Sequence, residues 1–303
     1  MRLQHIHTMI AVSEEGSIRG AAKRLGRTQP ALTKNLRQME DELGVALFHR
    51  TPRGVVTTEI GQMVLARARS VALEMQRLQN EVEQLRGGQF GAVKICVSPA
   101  GALLVMPRAL ASFRKRYPAV DISVVDGLYP ASLQPLRDGQ VDLLIGPTPP
   151  LHWSKDFRVE PLFMTDIIVI TSHESEYANA RSLRELQSGD WVMLGGREGP
   201  GDIIEKSFRD NGLIPPVSRT SAESYLTALA AVAEMGLLCT FPEKLYLKLK
   251  DQFKVHRIAL EETIAPMEVS LLTRAGLPLT PAAEEMANCI RWWGSRLAST
   301  DAR

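Results

Sequence analysis

Long apolar runs are missing from this 303-residue sequence. Nowhere do about 18 apolar residues follow one another, and the opening MRLQHIH lacks the apolar core of a signal peptide. Membrane spanning and Sec-type secretion are therefore disfavoured, and a cytoplasmic chain is expected. Cysteine is scarce: Cys96, Cys239 and Cys289 are odd in number and far apart, with no CxxC pair and no Cys/His cluster. That argues against a disulfide framework and against a zinc site, and suits a reducing compartment. Charge of one sign is not in excess either, since 36 Lys+Arg against 34 Asp+Glu leave a net +2. A 45% hydrophobic and 23% charged composition excludes disorder and collagen-like architectures. No GxSxG, GxxxxGK[ST] or HExxH motif occurs, so no catalytic residue, metal or cofactor is expected, and the chain does not read as an enzyme.

Proline is also unevenly spread. Of 18 prolines only Pro30 and Pro52 precede position 99, and the proline-free stretch 53–98 holds a helical run that ends at Gly87-Gly88. A long helix stopping at a glycine pair reads as a C-cap followed by a hinge. The expected division is 1–58, 59–88 and 89–303. Residues 1–87 carry 13 Lys/Arg against 9 Asp/Glu, and the cationic excess concentrates in 16–53, with 8 against 3. A polyanion could feel so local a surplus.

Three helices and a hairpin are legible before residue 58. Leu3, Ile6, Met9 and Ile10 repeat at helical spacing. Ser17 can N-cap a second helix, Ile18 to Leu25, which Gly26 ends; Thr28 can N-cap a third, with Leu32, Leu36 and Met39 inward and Gly44 closing it. Pro52 and Gly54 suit a tight turn between two short strands. Two helices joined by a short turn are what a major-groove reader needs. Thr28, Gln29, Thr33, Lys34 and Arg37 put hydroxyls, an amide and cations on the third helix, while Arg50 and Arg53 on the hairpin can reach phosphate or the minor groove.

Gly16-Ser17, Ala21-Ala22, Leu25, Gln29-Pro30-Ala31, Glu40, Leu43-Gly44, Leu47-Phe48, Arg50, Arg53, Thr58 and Gly61 together resemble the N-terminal signature of LysR-type transcriptional regulators. The resemblance implies promoter DNA as partner, with base and backbone contacts on Gln29, Pro30, Thr33, Lys34 and Arg53. Lys34 stands where arginine is frequent and cannot make a planar bidentate contact. Further along, Val64, Ala68, Val71, Met75, Leu78, Val82 and Leu85 are spaced alternately four and three apart, an a/d seam that predicts a coiled-coil dimer. The resemblance implies the same homodimer, often paired into a homotetramer.

After residue 90, strand and helix candidates alternate, which predicts an α/β domain with a largely parallel sheet. The strand candidates are Val93–Val97, Ile122–Val125, Val141–Ile145, Ile167–Thr171, Trp191–Leu194, Leu237–Phe241 and Met267–Leu272. The resemblance implies two lobes like those of periplasmic binding proteins, 92–162 with 267–303 and 163–266, closing on a small-molecule effector. The fold class expected is thus a winged helix-turn-helix, a long coiled-coil linker helix and a two-lobed α/β domain. Ligands should bind at strand C-termini, where helix N-termini also point. Ser98, Pro99 and Ala100 follow the first strand and open a helix, which favours an anion. Across the gap, Gly199, Pro200 and Gly201 permit close backbone approach and Arg197 adds a cation. Tyr129, Thr148, Glu223 and Phe241 are further pocket candidates, and a loose likeness around 126–130 to regulators answering an aromatic sulfonate suggests a ring-sized ligand. The mechanism expected is a ligand-biased change in DNA bending and in access of RNA polymerase. Two other readings compete: a solute binder or enzyme carrying a helical dimerisation module, and a DNA-binding protein without a ligand.

Overall fold

A computed structural model describes residues 1–52, 54–86, 91–150, 155–195 and 199–299. The chain divides into two compact units, Met1–Glu83 with Asp138–Gln140, and Gln84–Arg137 with Val141–Arg303.

The first unit runs α1 (Leu3–Glu15), α2 (Ile18–Arg24), α3 (Gln29–Leu43), β1 (Phe48–Thr51), β2 (Gly54–Thr57) and α4 (Glu59–Leu85). Local chemistry sets the boundaries. Ser17 Oγ accepts from the Gly20 N–H at 3.0 Å and Thr28 Oγ1 from Ala31 N–H at 3.4 Å, so each hydroxyl satisfies a helix-start donor. Gly16 and Gly44 end α1 and α3 in the left-handed region. Met9, Val12, Ala21, Leu32, Leu36, Met39 and Leu47 form the core beneath them.

One carboxylate ties the hairpin to α3. Glu40 Oε1 accepts from the backbone N–H of Leu47 at 2.7 Å and of Phe48 at 3.2 Å. The Leu47 carbonyl then accepts from Thr58 N–H at 2.9 Å, and Thr58 Oγ1 caps α4 by accepting from Gly61 N–H at 2.8 Å. A Cβ on Gly61 would lie 2.0 Å from the Leu47 oxygen, so only glycine lets α4 start there. α3, the hairpin and α4 are thus one packed part.

In the second unit the order begins β3 (Ala92–Val97), a π-helical turn (Gly101–Val105), α5 (Met106–Arg116), β4 (Asp121–Asp126), α6 (Leu133–Arg137), β5 (Leu143–Pro147) and β6 (Phe157–Thr165). It continues with β7 (Ile167–Ser172), β8 (Val192–Leu194), α7 (Asp202–Asp210), β9 (Thr220–Ala222), α8 (Tyr225–Met235) and β10 (Cys239–Pro242). Last come α9 (Glu243–Phe253), β11 (Val255–Ile258), β12 (Met267–Arg274) and α10 (Pro281–Ser299). Two lobes result. The first is a five-stranded sheet, β4-β3-β5-β12-β6, whose core joins Val93 and Ile95 to Phe113 of α5 and Met286 and Ile290 of α10. The second is built on β10-β7-β11, with the parallel pair β8-β9 joined to it through a Trp191–Leu238 bridge. The chain leaves the first sheet between β6 and β7 and returns between β11 and β12.

The sheets are mixed rather than largely parallel. β3 runs parallel to β4 and β5, but the returning β12 lies antiparallel to β5 and β6, and β7 is antiparallel to both its neighbours. Strand β6 escaped the sequence reading because Pro161 interrupts it; the proline is tolerated because β6 is an edge strand, with a bulge opposite Val269/Ser270. Residues 182–189 form a series of i+3 turns, the Ser182 and Glu185 side chains bonded to each other at 2.8 Å. At the far edge, Arg291 of α10 grips Glu160 of β6 through two bonds of 2.9 and 3.0 Å. The Arg291 hydrogen bonds hold the Glu160 carboxyl below its ordinary range.

Gly61→Ala should lower the stability of the first unit by about 2 kcal/mol or more, the range of overpacking against a rigid backbone. All four tryptophans (153, 191, 292, 293) lie beyond residue 84. The helical circular-dichroism transition should therefore move to lower denaturant while tryptophan fluorescence stays in place.

Cysteine chemistry gives a second test. Burial, and next Asp126, push the Cys96 thiol up to about 11, and burial pushes Cys239 up to about 12. The half-buried Cys289 is raised as well, chiefly by burial. Raised values favour the protonated folded state, so this contribution is complete below the unfolded thiol pKa of about 8.5 and fades as pH climbs through the raised values. At pH 8 a disulfide-exchange reagent should label none of the three quickly in the native chain and all three in denaturant. A fast native thiol would contradict this.

Candidate nucleic-acid interface and ligand cleft

The face of α3 opposite Leu32, Leu36 and Met39 carries the expected reading residues. Gln29, Pro30, Lys34 and Arg37 are exposed, as is Thr28, whose oxygen is already engaged as the N-cap. Thr33 is half-buried and, with Arg37, borders a groove of about 190 Å³ between α3 and the hairpin. Arg50 lies on β1, and Arg53 lies outside the described residues. Not every cation of this segment is available. Arg24 donates to Glu14 at 2.6 Å in an exposed ion pair, a bond that raises the arginine pKa.

The seam on α4 divides into two parts. Ala68 is buried and Val64 half-buried in the core of the unit itself, alongside Leu65. Ala68 is corrected from seam to core, because it packs among α1 and the hairpin's base, while Val64 borders that core and stays half-exposed. Beyond them Val71, Leu78, Val82 and Leu85 are exposed (Leu85 at 73%), with Met75 half-buried. An apolar stripe at a/d spacing is thus left open on one chain.

The second unit holds a cavity of about 220 Å³ between its lobes. Tyr129, Pro147, Thr148 and Pro150 line it from one side, and Gly199, Pro200, Ile203 and Tyr225 from the other, with Ile167, Thr240, Pro242 and Met267 between. A small adjoining recess reaches Ser98, Pro99 and Ala100 and shares Tyr129, Pro200 and Tyr225 with the main cavity. The structure therefore brings together Ser98–Ala100, Tyr129, Thr148, Gly199 and Pro200. Ser98 is buried, and its Oγ accepts from Gly101 N–H at 3.3 Å as a helix cap. Thr148 Oγ1 donates to Glu268 at 2.7 Å and lies 2.6 Å from Ser270 Oγ.

Other expected pocket residues fall elsewhere. Phe241 is 1% exposed in the core of the second lobe, edge-on to Tyr225; the pleat of β10 sends Thr240 and Pro242 to the cleft instead. Glu223 is exposed and does not line the cavity, since it precedes α8 on the solvent side. Gly201 is buried against Leu194, where a Cβ would meet the Leu194 nitrogen at 2.8 Å, so its role is packing rather than lining. Arg197 lies outside the described residues.

Tyr225 and Met267 were not anticipated. Burial, and next Cys239, raise the Tyr225 pKa, which keeps its hydroxyl a neutral donor. Pro147 and Pro242 are the last residues of β5 and β10, and pairing runs on past each, with Thr148 N–H donating to the Glu268 carbonyl at 2.9 Å and Glu243 N–H to the Asp166 carbonyl at 2.8 Å. Among the described lining residues none is charged. The described residues contain no group of three or more His, Cys, Asp or Glu placed to hold a metal, and no helix long and apolar enough to cross a membrane.

Known proteins share both units. Residues 3–62 match the family described as bacterial regulatory helix-turn-helix protein, lysR family, and residues 86–294 match the LysR substrate binding domain. The chain is 28% identical over 242 residues to the HTH-type transcriptional regulator TdcA of Escherichia coli (strain K12), covering 80% of this chain and 77% of that protein. It is 32% identical over 213 residues to a probable hydrogen peroxide-inducible genes activator of Streptomyces viridosporus, covering 70% and 61%. In fold it is similar to CbnR, a LysR family transcriptional regulator, with a TM-score of 0.71 at 19% identity over 97% of this chain and 99% of that one. Full-length CbnR complexed with its target DNA gives the same score, covering 97% and 100%. A capped reading helix on a compact three-helix core and a two-lobed domain closing on a small cavity are joined in one chain, which belongs to the LysR family of DNA-binding transcriptional regulators with an effector-binding domain.

Proposed function

We propose that this regulator binds a dyad-symmetric promoter site as a homodimer, joined through the open stripe of α4 and further paired into a tetramer. The observation that carries the reading is α3 itself. Its buried face, N-cap and Glu40 tie leave Gln29, Pro30, Lys34 and Arg37 displayed on one exposed surface. A helix so presented fits the major groove, which is about 12 Å wide. Two copies held by Val71, Met75, Leu78, Val82 and Leu85 would present two such helices to related half-sites. The working parts we assign are residues 1–58 for reading DNA, 59–88 for dimerisation and 89–303 for sensing, in a chain that acts in the cytoplasm and performs no catalysis.

The effector we assign to the interlobe cavity has a ring-sized apolar body. Tyr129, Tyr225, Ile203, Met267 and the prolines supply apolar contact, and Thr148, Thr240 and the neutral Tyr225 hydroxyl supply direction. A polar or anionic end would lie toward Ser98, Pro99 and Ala100 in the adjoining recess. Arg50, Arg53 and Arg197 keep the roles of phosphate contacts and effector cation. The ligand acts by preferring one arrangement of the lobes, which shifts the DNA-reading pairs and the access of RNA polymerase.

Two variants test the arrangement on the upstream region of the protein's own gene. Lys34→Ala should weaken binding and reduce the log–log salt slope by about 0.9, one phosphate's worth. Leu78→Asp should convert the dimer to monomer in sedimentation and abolish the paired footprint, leaving the tryptophan fluorescence of the second unit unchanged. A dimeric Leu78→Asp protein, or footprinting indifferent to both changes, would reject the assignment.

A further inference from the structure

Away from the cleft, two imidazoles meet in the second lobe. His173, one residue past β7, and His256 on β11 have ring centroids 5.0 Å apart, with planes inclined by 53°. Strand register puts them there. β7 and β11 pair antiparallel with Ser172 opposite Val255 and Thr171 opposite His256, so the two histidines are diagonal neighbours on one face. His256 Nε2 lies 3.1 Å from the Ala178 carbonyl oxygen. A carbonyl only accepts, so the proton of the neutral ring sits on Nε2 and Nδ1 keeps its lone pair. Metal-bound histidines are commonly oriented in this way, by donating the second ring nitrogen to a backbone carbonyl. His173 is exposed and can turn either nitrogen to a ligand.

We propose that His173 and His256 form a two-histidine site for a divalent transition ion of imidazole-preferring character: Cu(II), Ni(II) or Zn(II). Imidazole nitrogen lies about 2.0–2.1 Å from such an ion, which sets two ring centres roughly 4.5 Å apart at a right angle and about 5 Å apart at a tetrahedral one. The 5.0 Å centroid separation falls in that range. No third His, Cys, Asp or Glu completes the group among the described residues, so water fills the remaining positions and the ion exchanges readily. Copper binds such nitrogen sites most tightly in its row. A bound ion ties β11, an edge strand, to the end of β7 and stabilises that sheet in proportion to its occupancy.

Copper(II) titration of the full chain, followed by electron paramagnetic resonance and thermal melting, decides the matter. The expected result is one saturable ion whose spectrum carries coupling to two imidazole nitrogens, and a melting temperature that rises with copper. His173→Gln and His256→Gln should each weaken this ion about tenfold or more and remove the rise. Glutamine can still donate to Ala178, and circular dichroism checks the fold; His173→Ala, at an exposed position, repeats the test without that contact. Unchanged copper affinity in these variants overturns the proposal by placing the ion on other histidines. A one-nitrogen spectrum, or no saturable binding in the parent chain, overturns it too.

Discussion

The backbone of Leu47 is the point on which the reading head depends. Its N–H is held by Glu40 of α3, its carbonyl by Thr58 at the start of α4, and its side chain is fully buried among α1 and α3. A buried backbone group without a partner is costly, so these bonds act as constraints rather than decoration. Through them the recognition helix cannot rotate relative to the hairpin, and the hairpin cannot part from the long helix. Gly61 allows this by admitting the Leu47 oxygen where any side chain would collide. The direction in which α4 leaves the head is therefore a property of local packing, and a dimer built on α4 inherits it.

The sensing unit solves a different problem, that of making a cavity between two lobes that each have a complete core. Separate clusters fill the first lobe around Phe113 and Met286 and the second around Leu229 and Phe241. Two chain crossings join the sheets, and Met267 packs against cores of both lobes. The cavity lies where strand ends meet helix starts, and its walls are prolines, tyrosines and hydroxyls. Pro147 and Pro242 line the space at the ends of two strands, and Thr148 is held by Glu268 and Ser270. Among the described residues no charged side chain lines this wall.

Much of the first unit was legible because its signals are local. Ser17, Thr28, Gly16 and Gly44 act within one helical turn, and the inward positions of α3 follow from a period of 3.6. Glu40 and Gly61 appeared as elements of a family pattern, but their reasons, a carboxylate reaching two N–H groups and a missing Cβ, depend on residues several positions away. The α4 stripe was legible as spacing alone. Spacing cannot tell a seam from a core face, and so Ala68, buried in the unit's own core, was read as seam.

In the second unit the sequence by itself determined strand and helix alternation, the helix opening after Ser98, the glycine-rich turn near Pro200 and the isolation of the three cysteines. Each of these depends on neighbours in the chain. Tertiary structure alone decided that β12 runs antiparallel between β5 and β6, that Pro161 sits on an edge, and that Tyr225 and Met267 face the cavity while Phe241 does not. Those outcomes depend on which strands pair and in what register. A shift of one residue exchanges the two faces of a strand, and no local pattern encodes which face will meet the other lobe.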